Sequence, residues 1–220
     1  MSLVVQITQV VGLYVYSNDF QRFAFLSVFV VDSLMCLFKG YALLVNADRL
    51  YSGLELGAYA FTLCGRRDTS WMRRRKPLLS GLLRMYAAVS YITLTIWLLA
   101  PLVVGGHVSL TRLDGTVATQ RANIFNMWAP VSDATYNSTP VWSLFYAIEI
   151  IFCIVDVTIW VCFDCYAMTM CYMLIAQFDA MTAEYETLGR LVPDAEKNEP
   201  IPDHYDELIC SIKDNQKIIE

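Results

Sequence analysis

Charged residues are scarce in this sequence. Only 17% of its 220 residues are Asp, Glu, Lys or Arg, whereas 56% are hydrophobic. A soluble domain usually has about a quarter of its residues charged, which keeps its surface wetted. The shortage of charge therefore excludes an ordinary soluble domain and favours a protein that lies in a membrane.

Histidine and the common catalytic motifs are also rare or missing. The two histidines, His107 and His204, fall in segments that the topology below places on opposite sides of the membrane, so they cannot share a site. The sequence has no Gly-rich phosphate loop and no His-Glu-x-x-His pattern. We therefore expect no enzyme, no catalytic residue and no cofactor.

Disulfide, metal and nucleic-acid sites have little support. The seven cysteines lie mostly inside apolar stretches, which favours free, buried thiols over a disulfide framework. The Cys162-x-x-Cys165 pair has no second pair and no neighbouring His, whereas zinc takes four ligands, so we predict no metal site. A net charge of -5 with no recognition motif argues against nucleic acid as a partner.

Long hydrophobic runs are what the sequence does have. About 20 residues are needed to cross a bilayer core as a helix. The second, third and fourth runs reach that length. The first is shorter, so either its polar flanks help it tilt into the membrane or, as we favour, its true beginning lies upstream of Met1. The four predicted spans are residues 3–16, 23–45, 86–105 and 141–176.

These runs predict an all-α fold, a polytopic membrane helical bundle of about four transmembrane helices in a single membrane domain over 1–220. The fourth run has no Pro or Gly before Gly189, so we expect it to extend into the cytoplasm, with 177–220 cytoplasmic. Residues 106–140 and 188–205 are predicted loops, and a further helix begins near the end of the chain. Residues 50–65 are either a fifth crossing or, as we favour, an amphipathic continuation of the second span.

A basic cluster sets the predicted orientation. Residues 66–77 contain six cations, and short loops rich in Lys and Arg stay in the cytoplasm. Counting spans from there puts the N-terminus in the cytoplasm and the 106–140 loop outside. Asn137 begins a glycosylation acceptor triplet, Asn-Ser-Thr, in that outer loop, which agrees with this orientation.

Acidic residues inside the spans are the sharpest anomaly. A buried carboxylate in a membrane is costly unless it is paired, neutralised or wetted. The functional interpretation is a cation pathway or ligand contact; the structural one is hydrogen bonding to Ser90, Thr93 and Thr95 or pairing with Lys39. The intramembrane acids are Asp32, Glu149, Asp156 and Asp164.

Large apolar side chains in the outer halves of three spans are candidates for a ligand site. Pro101 should kink the third span, and a kink among such side chains can open an apolar cavity with a few polar groups. Core packing is the competing interpretation for each of them. The candidates are Phe25, Phe29, Trp97, Leu98, Phe145, Tyr146 and Ile150.

The order of these features resembles the insect odorant receptors, a seven-transmembrane family of inverted topology. Lys39 is late in the second span and is followed by an amphipathic extension and a basic inner loop. The outer loop then runs "MWAPVSDATYNSTPVWSLFYAIE", and the fourth span continues into "LIAQFDAMTAEYETLG". The family's Trp-x-Pro, followed by an aromatic-rich start of the fourth span, is matched here by Trp128, Pro130, Trp142 and Tyr146. The sequence departs from the family at residues 214–216, where relatives often have His before Gln.

The resemblance implies the tuning subunit of a ligand-gated cation channel that binds small apolar volatile odorants and assembles with a co-receptor. It implies a multi-pass plasma membrane protein of an olfactory sensory neuron, with a pocket among helices two, three, four and six. The pore helix of relatives lies beyond residue 220, so we expect an N-terminal partial receptor. A gustatory-type receptor and a four-helix accessory or transporter-like protein are the alternatives; the odorant itself leaves no sequence signature.

Overall fold

The computed structural model describes residues 2–58 and 70–187, together with four helical positions near the end, Ile209, Ile212, Lys213 and Gln216. The described part is mostly helical, with one short β-hairpin. The elements in chain order are α1 (Ser2–Val15), α2 (Phe20–Val45), α3 (Ala47–Ala58), α4 (Ser70–Val104), β1 (His107–Thr111), β2 (Val117–Arg121), α5 (Asp133–Asn137) and α6 (Thr139–Thr187).

Three of the described helices are long and apolar enough to cross a membrane. They are Phe20–Val45, Lys76–Val104 and Thr139–Asp179. They correspond to the second, third and fourth predicted spans, and the predicted all-α membrane bundle is confirmed. α6, which contains the fourth predicted span, runs unbroken for 49 residues, well past the length that a bilayer core needs, as predicted.

The first predicted span is a helix too, but a short one. α1 has 14 residues, about 21 Å at 1.5 Å per residue, against a hydrocarbon core of about 30 Å. Its crossing of the membrane stays a prediction. α3 has 12 residues, and its residues 50–58 cover the first part of the stretch, 50–65, that a rival segmentation takes as a fifth span. The remainder of that stretch, residues 59–65, lies outside the described residues.

α4 begins earlier than the third predicted span. Because α4 starts at Ser70, residues 73–76 of the basic cluster belong to a helix and not to a loop, which corrects that detail of the prediction. Arg66 and Arg67 lie outside the described residues, as do His204 and the predicted 188–205 loop. The arginines and the lysine at 73–76 stand one turn or less from the start of the apolar span.

The spans expose apolar side chains, the reverse of a soluble domain. Only 6% of the most apolar window of α4 is buried, although its mean hydropathy is 2.0. Such a surface is stable against lipid and not against water. Cys162 and Cys171 lie on exposed faces of α6, so their predicted burial is wrong; Cys36 and Cys153 are buried, and all four thiols are free.

The 106–140 loop, which we call the outer loop after its predicted side, is folded, although the sequence predicts only a loop. β1 and β2 pair antiparallel, with His107 opposite Arg121 and Thr111 opposite Val117. The turn carries Asp114 and Gly115, and Gly115 has a φ of 79°, in the region that favours glycine. The Thr116 hydroxyl and backbone N–H both donate to Asp114, and these bonds lower the pKa of that carboxyl.

Contacts along the chain group it into two compact units. The first contains Met1–Val45 and Met85–Asp164, and the second contains Asn46–Arg84 and Cys165–Glu220. In the second unit α3 approaches α6 closely at Gly53, where an added Cβ would lie 3.2 Å from the Met170 methyl carbon. The single membrane domain over 1–220 stays a prediction.

Buried side chains of the first unit concentrate where the outer loop meets the helices. One cluster joins Val5, Leu94, Phe125 and Phe152, among others. Two smaller clusters lie under the hairpin and beside α5. The loop is thus a packed cap on the helix ends.

Candidate ligand-binding site

A cavity of about 420 Å³ lies within the first unit, and we call it the membrane cavity. Side chains of α2, α4 and α6 form most of its wall, and two residues of the outer loop, Ile124 and Phe125, complete it. The other lining residues are Phe29, Asp32, Ser33, Tyr86, Val89, Ser90, Thr93, Leu94, Trp97, Phe152, Cys153, Asp156, Val157, Trp160 and Val161.

Aromatic rings form a connected part of this wall. Phe29 of α2 meets Phe125 of the loop edge-to-face, with ring centroids 4.6 Å apart, and meets Trp97 of α4 at 5.9 Å. Phe125 meets Phe152 of α6 at 6.1 Å. Because such pairs have preferred geometries, they fix the positions of the rings and the shape of the cavity.

Two acidic side chains lie on the same wall. Asp32 of α2 and Asp156 of α6 both line the membrane cavity and are in hydrogen-bond contact with each other. Ser90 also lines it, but its hydroxyl donates to the Tyr86 carbonyl of its own helix. Among the described residues, the buried Nε1 atom of Trp160 has no hydrogen-bond partner. The wall therefore combines an apolar surface with a few concentrated polar groups.

A third acidic residue, Asp164, belongs to a cross-helix cluster. The Lys39 Nζ atom is 2.7 Å from Asp164 Oδ1, and the Tyr86 hydroxyl donates to Oδ2 of the same carboxylate at 2.7 Å. The Lys39 Nζ atom also lies 3.1 Å from the centroid of the Trp160 ring. The cluster ties α2, α4 and α6 together. The predicted pairing with Lys39 thus occurs. Within the described part of the chain, the Thr95 hydroxyl donates to the Tyr91 carbonyl of its own helix and not to an acidic side chain.

The fourth acidic residue, Glu149, fastens the outer loop. Glu149 is fully buried and accepts the backbone N–H groups of Phe125 at 2.9 Å and Met127 at 3.3 Å. From the other side, the Arg22 guanidinium donates to the carbonyls of Phe125 and Asn126. Asn126 has a φ of 44°, which Asn tolerates better than most residues. The loop segment that lines the cavity is therefore held between a carboxyl group that accepts its N–H groups and a guanidinium that donates to its carbonyls.

The predicted ligand residues divide into two groups. Phe29 and Trp97 line the membrane cavity, and Phe25 stacks on Trp97 behind that wall, with centroids 6.5 Å apart. The other four pack elsewhere. Phe145 stacks on Tyr136, Tyr146 stacks on Trp142 and donates to the Leu98 carbonyl, and Leu98 and Ile150 pack against the largest cluster.

Several lining residues were not predicted as ligand contacts. Tyr86, Ser90, Thr93 and Trp97 follow one another at intervals of four, three and four, which is one face of a helix. Extending the face of Trp97 towards the inner half of α4 would have found them. The loop residue Phe125 carries no such signal, because its place depends on distant contacts with Arg22 and Glu149.

Asn137, the predicted glycosylation site, makes two hydrogen bonds within the outer loop. Its Nδ2 atom donates to the Thr119 carbonyl at 2.8 Å, and its Oδ1 atom accepts the Arg121 N–H at 2.7 Å. Its side chain joins α5 to β2. Burial raises the pKa of the neighbouring Tyr136, so that phenol stays neutral. Glycosylation of Asn137 stays a prediction.

Long apolar helices of this kind define a multi-pass membrane protein, and a cavity of this size is a candidate site for a small molecule. Within the described residues, no three His, Cys, Asp or Glu side chains are grouped to hold a metal ion. The profile of the family described as "7tm Odorant receptor" matches residues 19–220. The chain belongs to that odorant receptor family, as the resemblance predicted. No curated protein and no solved structure matches the chain.

Proposed function

We propose that the membrane cavity is the odorant-binding site of this receptor. The observation that carries the proposal is a cavity of about 420 Å³ whose wall is largely aromatic and aliphatic, with few polar groups. Sites for small molecules usually have this size and make-up. A small volatile ligand would bind there mainly by contact with the rings of Phe29, Trp97 and Phe125.

The lining helices support this assignment. In the family that the sequence resembles, the pocket lies among helices two, three, four and six. Here α2, α4 and α6 correspond to the second, third and fourth spans and supply nearly all of the wall. On the α4 side, Thr93 and Trp97 are exposed, and this is the side on which a further helix could pack.

Filling the cavity is the sharpest test. Val157 lines the membrane cavity, whereas Val155 on the same helix is exposed. With the chain in lipid nanodiscs, Val157→Phe should weaken the binding of volatile ligands about tenfold, because interiors are close-packed and a phenyl ring removes ligand space. Val155→Phe is the matched control and should bind normally. Equal binding by both variants would place the ligand elsewhere.

We extend the proposal to the tuning subunit of a ligand-gated cation channel in the plasma membrane of an olfactory sensory neuron, assembled with a co-receptor. Family membership supports this step. A tagged form of the chain, expressed with the co-receptor subunit, should retain it through purification in detergent. Loss of the co-receptor at the first wash, with the tagged chain itself recovered, would count against the assembly.

A further inference from the structure

We propose that the pair formed by Asp32 and Asp156 makes the membrane cavity selective for small hydrophobic amines, bound as ammonium ions. The inference rests on the proposed function, because it assigns a ligand class to the same cavity. It narrows the expected ligand from any apolar volatile molecule to one with a basic nitrogen attached to an apolar body.

The first step concerns the charge of the pair. The two carboxyl groups come from different helices, line the cavity together and are in hydrogen-bond contact. A hydrogen bond between two carboxyl groups requires a proton on one of them, and like charges at such a distance do not both ionise. We therefore assign the pair one shared proton and one negative charge.

The second step concerns what balances that charge. In the part of the chain that the structure describes, neither Asp32 nor Asp156 has a salt-bridge partner. The cation on the same helix, Lys39, pairs with Asp164 at 2.7 Å and acts on Asp32 only from a distance, seven residues or about 10 Å along α2. A charge without an adjacent counter-ion inside a membrane is costly. A ligand cation would supply the missing counter-charge.

The third step concerns the rest of the wall. Phe29, Trp97 and Phe152 line the same cavity, and aromatic faces attract ammonium groups. A bare metal ion would leave most of a cavity of about 420 Å³ unfilled, whereas an organic ammonium ion places its charge at the carboxyl pair and its carbon skeleton against the rings. The wall therefore favours an amine over an inorganic cation.

The test compares two probes with one carbon skeleton. 2-Phenylethylamine and 2-phenylethanol are titrated into the whole chain in nanodiscs, and tryptophan fluorescence reports binding beside Trp97 and Trp160. The amine should bind about tenfold tighter or more, because a hydrogen-bonded ionic contact is worth more than a neutral one. The N-acetyl derivative of the amine, which has no charge, should bind no tighter than the alcohol.

The variants separate charge from shape. Asp32→Asn leaves one carboxylate beside an amide and should keep the preference for the amine. Asp32→Asn combined with Asp156→Asn removes the charge and should bring the two probes to within about twofold, with alcohol binding retained as a sign of correct folding. Asp48→Asn, an exposed carboxyl on α3, is the control and should change nothing.

Each other outcome decides against a specific claim. Equal binding of amine, alcohol and N-acetyl derivative to the unaltered chain would overturn the amine proposal and leave the odorant site standing. Loss of the amine preference on adding Na⁺ would show that the carboxyl pair binds an inorganic cation, and this result would also overturn the amine proposal. If none of the probes binds, and Val157→Phe and Val155→Phe bind volatile ligands equally, the proposed function itself fails.

Discussion

At the level of single residues, the partner of each intramembrane carboxyl decides its role. Glu149 accepts backbone N–H groups, Asp164 binds Lys39 and Tyr86, and Asp32 and Asp156 contact each other. The seven-residue spacing of Glu149 and Asp156 predicts a shared face, but spacing does not reveal what packs against that face. Of these four carboxyl groups, those of Asp32 and Asp156 line the membrane cavity.

Glu149 offers the first prediction. Glu149→Gln keeps the shape of the side chain but replaces one acceptor with an NH₂ group, which cannot accept a bond from either Phe125 or Met127. Leaving a buried N–H unpaired should lower the free energy of unfolding by about 1–3 kcal/mol. Thermal unfolding in detergent measures it, with Asp48→Asn as the control. An unchanged unfolding midpoint would mean that Glu149 does not fasten the loop.

Asn137 offers a prediction that separates modification from structure. Thr139→Ala removes the acceptor triplet but keeps both hydrogen bonds of Asn137. Asn137→Gln removes the triplet and both hydrogen bonds. In secretory expression, we expect the unaltered chain to shift on a gel after glycosidase treatment, and both variants to lose that shift. In unglycosylated protein, Asn137→Gln should lower the free energy of unfolding by about 1–2 kcal/mol, whereas Thr139→Ala should leave it unchanged. A wild-type chain insensitive to glycosidase would contradict the predicted modification.

At the level of elements, the tie between Lys39 and Asp164 should make α2 and α6 interdependent. Lys39 is about 10% exposed, so Lys39→Met leaves Asp164 without its cation inside a membrane helix. We expect a loss of about 3 kcal/mol in unfolding free energy for Lys39→Met, since breaking a buried pair strands a charge.

The double variant completes this prediction. Lys39→Met combined with Asp164→Leu removes both charges and should recover much of the loss, because replacing a whole buried pair with apolar groups is often neutral. The four proteins form a double-mutant cycle, read by thermal unfolding in detergent. Strict additivity of the two single losses would show that the pair does not tie the helices.

The elements also show what the sequence could and could not predict. Apolar runs predict α2, α4 and α6, because length and hydropathy are enough to define a membrane helix. The Asp114-Gly115 turn is a strong hairpin signal between two alternating stretches, so the hairpin was predictable as well. The place of Phe125 was not, since it depends on Arg22 and Glu149, more than twenty residues away on either side.

At the level of the whole molecule, the order of degenerate motifs predicted the family, and the profile match confirms it. The lining of the membrane cavity was predicted only in part. Phe29 and Trp97 were named because aromatic residues stand out in an outer half-span, whereas Tyr86 and Trp160 lie in inner halves, where the sequence shows no comparable signal. A cavity is formed by the faces of several helices. The sequence predicts which residues share a face, but not which faces of different helices pack together.

Orientation of the whole chain is the last prediction. The six cations at 66–77 should hold their end of α4 in the cytoplasm, because translocating them is opposed and the inner leaflet attracts them. The hairpin turn at the other end of α4 should then lie outside. Asp114→Asn creates an Asn-Gly-Thr acceptor in that exposed turn, and the new side chain keeps an oxygen that can accept from Thr116.

A matched variant marks the opposite face. Pro200→Thr turns Asn198-Glu199-Pro200 into an acceptor in the segment predicted to be cytoplasmic. Both changes are made with Thr139→Ala, so that any glycan comes from the new site alone. We expect Asp114→Asn to gain one glycan and Pro200→Thr to gain none, since transfer occurs only on the lumenal side. The reverse pattern would invert the membrane orientation, and with it the side from which a ligand reaches the membrane cavity.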